Sequence, residues 1–287
     1  MDNKIARRIK MSYKKILTIQ DISCVGQCSL TVALPILSAC GLETCILPSA
    51  VLSTHTAGFS GFTFRDLTDD MPAIQQHWQK ENIKFSAIYT GYLGSLKQIG
   101  YVKNILETMG TEDCIRVVDP AMADNGKLYP IFDMAYVEGM KDLCGAADIL
   151  IPNITEACFL TGTEYQEEYD EAYVAALVKK LLALGAKTVV LTGVSYEAGK
   201  TGVLVYENHK CHYYVHNKIA KGCHGTGDIY ASAFVGALMN GKTVFGAACI
   251  AADYTVKCIE NTQGDPTHWY GAKFETALRD LMDAIES

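Results

Sequence analysis

Short apolar runs separated by longer stretches of helical periodicity constrain this 287-residue chain more tightly than any single motif. Lys15–Ile19, Thr44–Leu47, Ala87–Thr90, Ile115–Val118, Asp148–Ile151 and Thr188–Leu191 read as strands, several of them bounded by Gly, Pro, Asn or Asp. Between them, Leu30–Cys40, Met71–Glu81, Leu96–Thr108, Ala135–Leu143 and Glu168–Leu184 read as helices. This alternation predicts an α/β fold with a mostly parallel central sheet and helices on both faces. Gly202–Tyr206 and Cys211–His216 read as a late antiparallel hairpin, followed by helical patterns at Thr226–Met239, Thr243–Ile259 and Phe274–Ile285. No internal repeat, low-complexity tract or linker divides the chain. The expectation is one domain over residues 15–287, preceded by a flexible polar arm at 1–14, with Met11 as an alternative start.

Composition narrows the partners. With 49% hydrophobic and 20% charged residues the chain can bury a substantial core. A formal charge of −7 argues against nucleic acid and for a soluble enzyme acting on small molecules. Eleven cysteines, several on apolar stretches such as Leu37–Cys40 and Ala247–Ile250, read as reduced thiols and point to a cytoplasmic setting. No Cys-x-x-Cys modules appear, so structural cysteine is favoured over zinc. The apolar run Ile16–Ile19 is too short for a signal peptide, and no segment reads as membrane-spanning.

In open parallel sheets, ligands bind outside the carboxyl ends of the strands, and polar residues are expected at each of these ends. Asp21 follows the first strand, Ser53-Thr54-His55-Thr56-Ala57-Gly58-Phe59 the second, and Thr90-Gly91-Tyr92 the third, whose Tyr could stack on a flat ring. After the fourth come Asp119 and Asp124, two carboxylates on one loop that could hold Mg²⁺ through waters. After the fifth come Ile151-Pro152-Asn153 and Glu156, with capping-box spacing that does not prevent Glu156 from reaching a hydrated cation. Thr192-Gly193-Val194-Ser195 follow the sixth. Finally, Lys221-Gly222-Cys223-His224-Gly225-Thr226-Gly227-Asp228 opens a helix. Its glycines allow backbone N–H groups to crowd an anion at the positive end of that helix, although Thr226 as cap and Asp228 as first-turn acid would also make an ordinary helix entry. The joint reading is a nucleotide-dependent phosphotransferase. A covalent Cys223–His224 pair is disfavoured, because neighbours on extended backbone point to opposite sides.

These residues resemble the ribokinase-like superfamily and, within it, the pyridoxal kinases, from Ile16 to about Met239. Leu17-Thr18-Ile19-Gln20, Ser53–Thr56, Thr90-Gly91-Tyr92, Asp119-Pro120 with Asp124, Pro152-Asn153 with Glu156, and Gly225–Asp228 carry the likeness. The resemblance implies ATP-dependent phosphorylation of the 5′-hydroxymethyl group of vitamin B6 vitamers. It makes Asp228 the base and Gly225, Thr226 and Gly227 the anion hole. Asp119, Glu156 and Thr192, with the turn, match positions that hold ATP or its metal, with Asp124 nearby; Asp124 and Glu156 would hold Mg²⁺ through water, and Ile151 stands at a nucleotide-side position. Thr56, Ala57 and Tyr92 match the pyridine pocket, and Asp21 stands at its first-strand, substrate-meeting position. A homodimer is implied, and a monovalent cation such as K⁺ is left open. Two positions depart from the pattern: Asp21 stands where Ser is usual, and Ile151 where Thr or a small residue is usual. A carboxylate at 21 would favour a protonated nitrogen on the acceptor, as in pyridoxamine. The rival readings are a hydroxymethylpyrimidine kinase, a sugar or nucleoside kinase of the same superfamily, and a non-catalytic B6-binding protein.

Overall fold

The computed structural model describes residues 13–219 and 223–287; most of the N-terminal arm, together with Lys221 and Gly222, lies outside them. The chain runs β1 (Lys15–Val25), α1 (Leu30–Ala39), β2 (Glu43–Thr54), β3 (Phe64–Asp66), α2 (Met71–Lys80), β4 (Phe85–Thr90), α3 (Leu96–Thr108) and β5 (Gly110–Val118). A small hairpin, β6 (Ala123–Asp124) and β7 (Lys127–Leu128), leads to α4 (Met134–Cys144), β8 (Ile149–Leu150), α5 (Ile154–Thr161), α6 (Glu171–Leu182) and β9 (Thr188–Val194). The hairpin β10 (Lys200–Glu207) and β11 (Lys210–Asn217) precedes α7 (Thr226–Met239), α8 (Val244–Thr262) and α9 (Leu278–Glu286).

The main sheet has the order β11-β10-β9-β8-β5-β4-β1-β2-β3. From β9 to β2 all pairings are parallel, and both ends are antiparallel. The expected architecture is therefore present, with the hairpin at the predicted place. Parallel strands buried on both faces need near-continuous apolar sequence, which Ile16-Leu17 and Val117-Val118 supply. On one face α2 to α6 bury Leu17, Ile19, Ile88 and Val118; on the other, α1, α7 and α8 bury Ile16, Ala87, Tyr89 and Val117. α7 is apolar almost all round because it lies between α1 and α8 and against the sheet. Phe234 at its centre is fully buried, a contribution of roughly 1.5–3 kcal/mol.

The strand ends differ from expectation in a way that shapes the site. β1 pairs with β4 only as far as Ile19↔Thr90, but with β2 as far as Val25↔Thr54. β1, β2 and β3 thus project beyond the sheet edge as a flap. Asp21, Ser53 and Thr54 lie inside strands rather than after them. The β1/β2 register shifts between Gln20 and Ile22, an irregularity that re-aims the side chain at 21.

Candidate active site

α7 begins at Gly225, which has φ 77° and no side chain to cap the first turn. Thr226 is therefore the first helical residue, not the cap. Among the described residues no side chain caps the helix N-terminus, the place where the dipole favours an anion. Two neighbouring glycines have different reasons to be glycine. A Cβ on Gly225 would lie 1.6 Å from the Gln27 carbonyl oxygen, whereas a Cβ on Gly227 would meet nothing within 4 Å. Gly225 seats the turn against the chain; Gly227 faces open space.

Asp228 keeps part of its surface open, and its Oδ2 accepts a 2.9 Å hydrogen bond from the Ser29 N–H. Ser29 holds a left-handed φ of 54°, an unfavourable backbone conformation for a residue with a Cβ. Desolvation pushes the Asp228 carboxyl up to about 7 against the pull of that N–H, and the Asp21 charge adds to the rise. Asp21 is itself buried, which raises its pKa, while the nearby Ser29 and Ser23 side chains pull it down. Ser23 Oγ donates to Asp21 Oδ2 at 2.9 Å. Ser29 thus stands between the two carboxylates, a role that sequence reading missed.

The other acids face the same space. Asp119, at the end of β5, is held well above the usual carboxylate range by burial, then by Glu156 and Asp228. Glu156 completes the predicted capping box with Asn153 and accepts N–H groups from Met122 at 3.1 Å and Asn153 at 2.9 Å. Burial raises it to about 7 against these bonds. Asp124 is exposed and accepts from the Asn125 N–H and side-chain amide. No Lys or Arg ion-pairs with Asp21, Asp119, Asp124, Glu156 or Asp228 among the described residues. Hard oxygen donors with no such Lys or Arg partner, whose ionised forms burial disfavours until a cation arrives, fit Mg²⁺ with its waters. The described residues contain no group of three or more His, Cys, Asp or Glu able to bind a metal directly. Thr192 lies in β9 and bridges to Asn153. The Ile151 side chain is buried in the core and offers a nucleotide no surface.

Aromatic residues form two walls. Tyr92, close enough to Asp21 for its charge to add to the burial that raises the phenol, packs on Phe132, with ring centroids 5.6 Å apart. Phe132 stacks on Tyr136 at 3.8 Å. On the other side, His55 is fully engaged with backbone: Nδ1 accepts from the Ala57 N–H at 3.1 Å, so Nε2 carries the proton donated to the Tyr270 carbonyl at 2.6 Å. The imidazole therefore does not hydrogen-bond a ligand but clamps a C-terminal strap, residues 265–271, to the flap. Phe59 packs on Trp269 at 4.7 Å, and His224 approaches His55 at 5.5 Å. Exposed Thr56 and half-buried Ala57 sit beside this junction. Cys223 packs toward the core while His224 faces His55, the divergence expected of adjacent residues.

A family model described as phosphomethylpyrimidine kinase matches residues 34–272. The chain belongs to that family. Its structure is similar to a Bacteroides thetaiotaomicron protein assigned to the phosphomethylpyrimidine kinases and solved in a form with pyridoxal: TM-score 0.89, 37% identity, covering 94% of this chain and 96% of that one. It is also similar to pyridoxal kinase from Lactobacillus plantarum, with TM-score 0.88 and 30% identity over 96% and 99% of the two chains. Pyridoxal kinase of Dictyostelium discoideum is 26% identical over 82% of each chain. The family membership agrees with the ribokinase-like, pyridoxal kinase resemblance read from the motifs. The family match runs past Met239 and takes in the strap as far as Ala272.

Proposed function

We propose that this protein transfers the γ-phosphoryl group of ATP to the 5′-hydroxymethyl group of a vitamin B6 vitamer. The observation that carries the reading is Asp228, a carboxyl poised near neutrality at the uncapped start of α7, in a family whose relatives include pyridoxal kinases. The acceptor ring lies between the Tyr92 wall and the Phe59–Trp269 side, with Asp21, Thr56 and Ala57 at its rim. Its hydroxymethyl oxygen meets Asp228, which holds and then accepts the proton as the bond to phosphorus forms. Phosphoryl transfer passes through a loose transition state, so the protein chiefly positions the reactants and stabilises charge spread over phosphoryl oxygens. The N–H groups of the Gly225–Gly227 turn and the α7 dipole supply that stabilisation. Mg²⁺, held through water by Asp124 and Glu156 with Asp119 beside them, would neutralise phosphate charge. Thr192 lines the nucleotide side. A homodimer in the cytoplasm is part of the same proposal, and a monovalent cation such as K⁺ is tested by adding it.

The family description supports a second reading, hydroxymethylpyrimidine phosphorylation, since that acceptor is also a flat heterocycle with a hydroxymethyl arm. Coupled ADP-release assays with pyridoxal, pyridoxine, pyridoxamine and hydroxymethylpyrimidine, compared by kcat/KM, decide between them. Turnover of hydroxymethylpyrimidine alone defeats the B6 assignment. Tight B6 binding without ATP turnover returns the protein to a binding role.

A further inference from the structure

Beneath the base lies a buried polar cluster that phosphoryl transfer does not use. Gln20 on β1, Tyr89 on β4 and Ser232 on α7 are all fully buried. Ser232 follows Asp228 by one helical turn, and Gln20 immediately precedes Asp21. Gln20 Nε2 donates to Thr18 Oγ1 at 2.9 Å, which leaves Oε1 orphaned; turning the amide over would only orphan the other end. The Tyr89 hydroxyl and Ser232 Oγ also lack any hydrogen-bond partner among the described residues. Yet Ser232 and Gln20 lie near enough to the Tyr89 hydroxyl to pull its pKa down as hydrogen-bonding side chains do, against the burial that raises it. Three groups from three elements therefore converge, close enough to act on one another but outside good hydrogen-bond geometry. Gly91 makes the arrangement possible, because a Cβ there would lie 2.8 Å from the Gln20 carboxamide.

Native interiors rarely leave buried polar atoms unpaired, and a water with two to four polar partners is the usual resolution. We infer that one buried water joins Gln20, Tyr89 and Ser232, and that Tyr89 and Ser232 are positioning residues tying α7, one turn beyond Asp228, to β1 and β4. The water accepts from the Tyr89 hydroxyl and donates to Gln20 Oε1 and Ser232 Oγ, so each group finds a partner. Facing Asp228 are Asp21 from β1 and the Ser29 N–H ahead of α1, which act on its carboxyl, and Cys28, Tyr89 from β4, Asp119 after β5 and Tyr129 after β7, which its charge reaches. None is cationic. In this proposal the dipoles of the cluster add, from one helical turn away, to the Ser29 N–H that hydrogen-bonds Asp228 directly.

This inference rests on Asp228 being the base, but its first test does not. A crystal structure of the unmodified protein that resolves waters is expected to place one within hydrogen-bond distance of all three side chains; direct side-chain contacts or a dry gap overturn the proposal. In Tyr89→Phe and Ser232→Ala, kcat should fall about threefold to tenfold, the worth of one hydrogen bond, with KM unchanged. The acidic limb of kcat/KM against pH should also move upward. A lower kcat with an unmoved limb would make the cluster merely structural and overturn the positioning role. If neither variant folds, the unmodified structure alone decides. Wild-type protein that phosphorylates no B6 vitamer would instead defeat the functional reading and leave the water to crystallography.

Discussion

Adding one methyl group at Gly225 and one at Gly227 separates what holds the turn from what the turn holds. In Gly225→Ala the new Cβ would sit 1.6 Å from the Gln27 carbonyl oxygen, at a φ of 77°. The closest common C···O approach is about 3.3 Å, so the two backbones must part by roughly 1.7 Å. Left-handed backbone adds about 1–2 kcal/mol for a residue with a Cβ. At roughly 2–4 °C per kcal/mol for a domain of this general size, conformation alone lowers Tm by about 2–8 °C, and the clash adds to it. Misplacing catalytic groups by about 1 Å can cost about 10²-fold, so kcat should fall by at least that factor. Gly227→Ala is the opposite case. Its methyl meets nothing within 4 Å, so the fold is spared and removing a helical glycine raises stability by about 0.5–1 kcal/mol. The methyl nevertheless enters the space assigned to the phosphoryl group, and kcat/KM for ATP should fall while Tm holds or rises. Differential scanning fluorimetry alongside ADP-release kinetics reads both quantities. Wild-type turnover in Gly225→Ala, or in Gly227→Ala, would refute this assignment of the turn.

Other expectations follow from the charges and rings. Asp228→Asn should lower kcat by about 10²–10⁴-fold with smaller changes in substrate binding, checked by steady-state kinetics. Because Asp228 acts ionised and stands near 7, kcat/KM should rise with pH through neutrality; Asp21→Asn removes a like charge and should move that limb downward. If Asp21 reads a protonated nitrogen, Asp21→Ser should change the ranking of B6 vitamers, and unchanged relative kcat/KM values would sink the idea. Asp228 and Glu156 both titrate near 7 when folded, against ordinary values of 3.8 and 4.5, so the native state holds more protons than the unfolded chain in between. The stability contributed by these groups should therefore fall as pH rises from about 4 to 7, and Mg²⁺ with nucleotide should flatten the slope, as measured by Tm against pH. Trp269, 45% exposed beside Phe59, should report acceptor binding by its fluorescence, whereas Trp78 packs edge-on against Phe85 elsewhere. A B6-induced emission change that survives Trp269→Phe would count against the strap bordering the pocket.

Much of this arrangement was legible because parallel strands must be apolar and their carboxyl ends must be polar. Lys15–Ile19 through Thr188–Leu191 show that pattern, and Asp21, Asp119, Glu156 and Asp228 emerge close enough to influence one another's charge. What was hidden depends on contacts between distant segments. β3 is three exposed residues with no periodic signal, held only by pairing with β2. Ile22-Ser23-Cys24-Val25 is too mixed to read as strand without its partner. The α5 helix, only Ile154–Thr161, was visible as a capping box but too short to show a period. The Asn125-Gly126 turn does carry a hairpin signal, which the two-residue arms of β6 and β7 leave without flanking alternation. The role of His55 was hidden because its engagement with the Tyr270 carbonyl links segments 215 residues apart. Ser29, Phe132 and Trp269 acquire roles only once the flap and strap are folded onto the sheet.

Gln27 lies against two glycines: its carbonyl takes the place of a Cβ on Gly225, and its own Cβ lies 2.4 Å from where one would stand on Gly271. The phosphate-facing turn and the C-terminal strap are thus fitted to the same residue. A substitution at either glycine displaces the loop on which the other depends. Positions 27, 225 and 271 should consequently be inherited as a unit, and grafting the strap of one relative onto the turn of another should succeed only when the residue between them is transplanted as well.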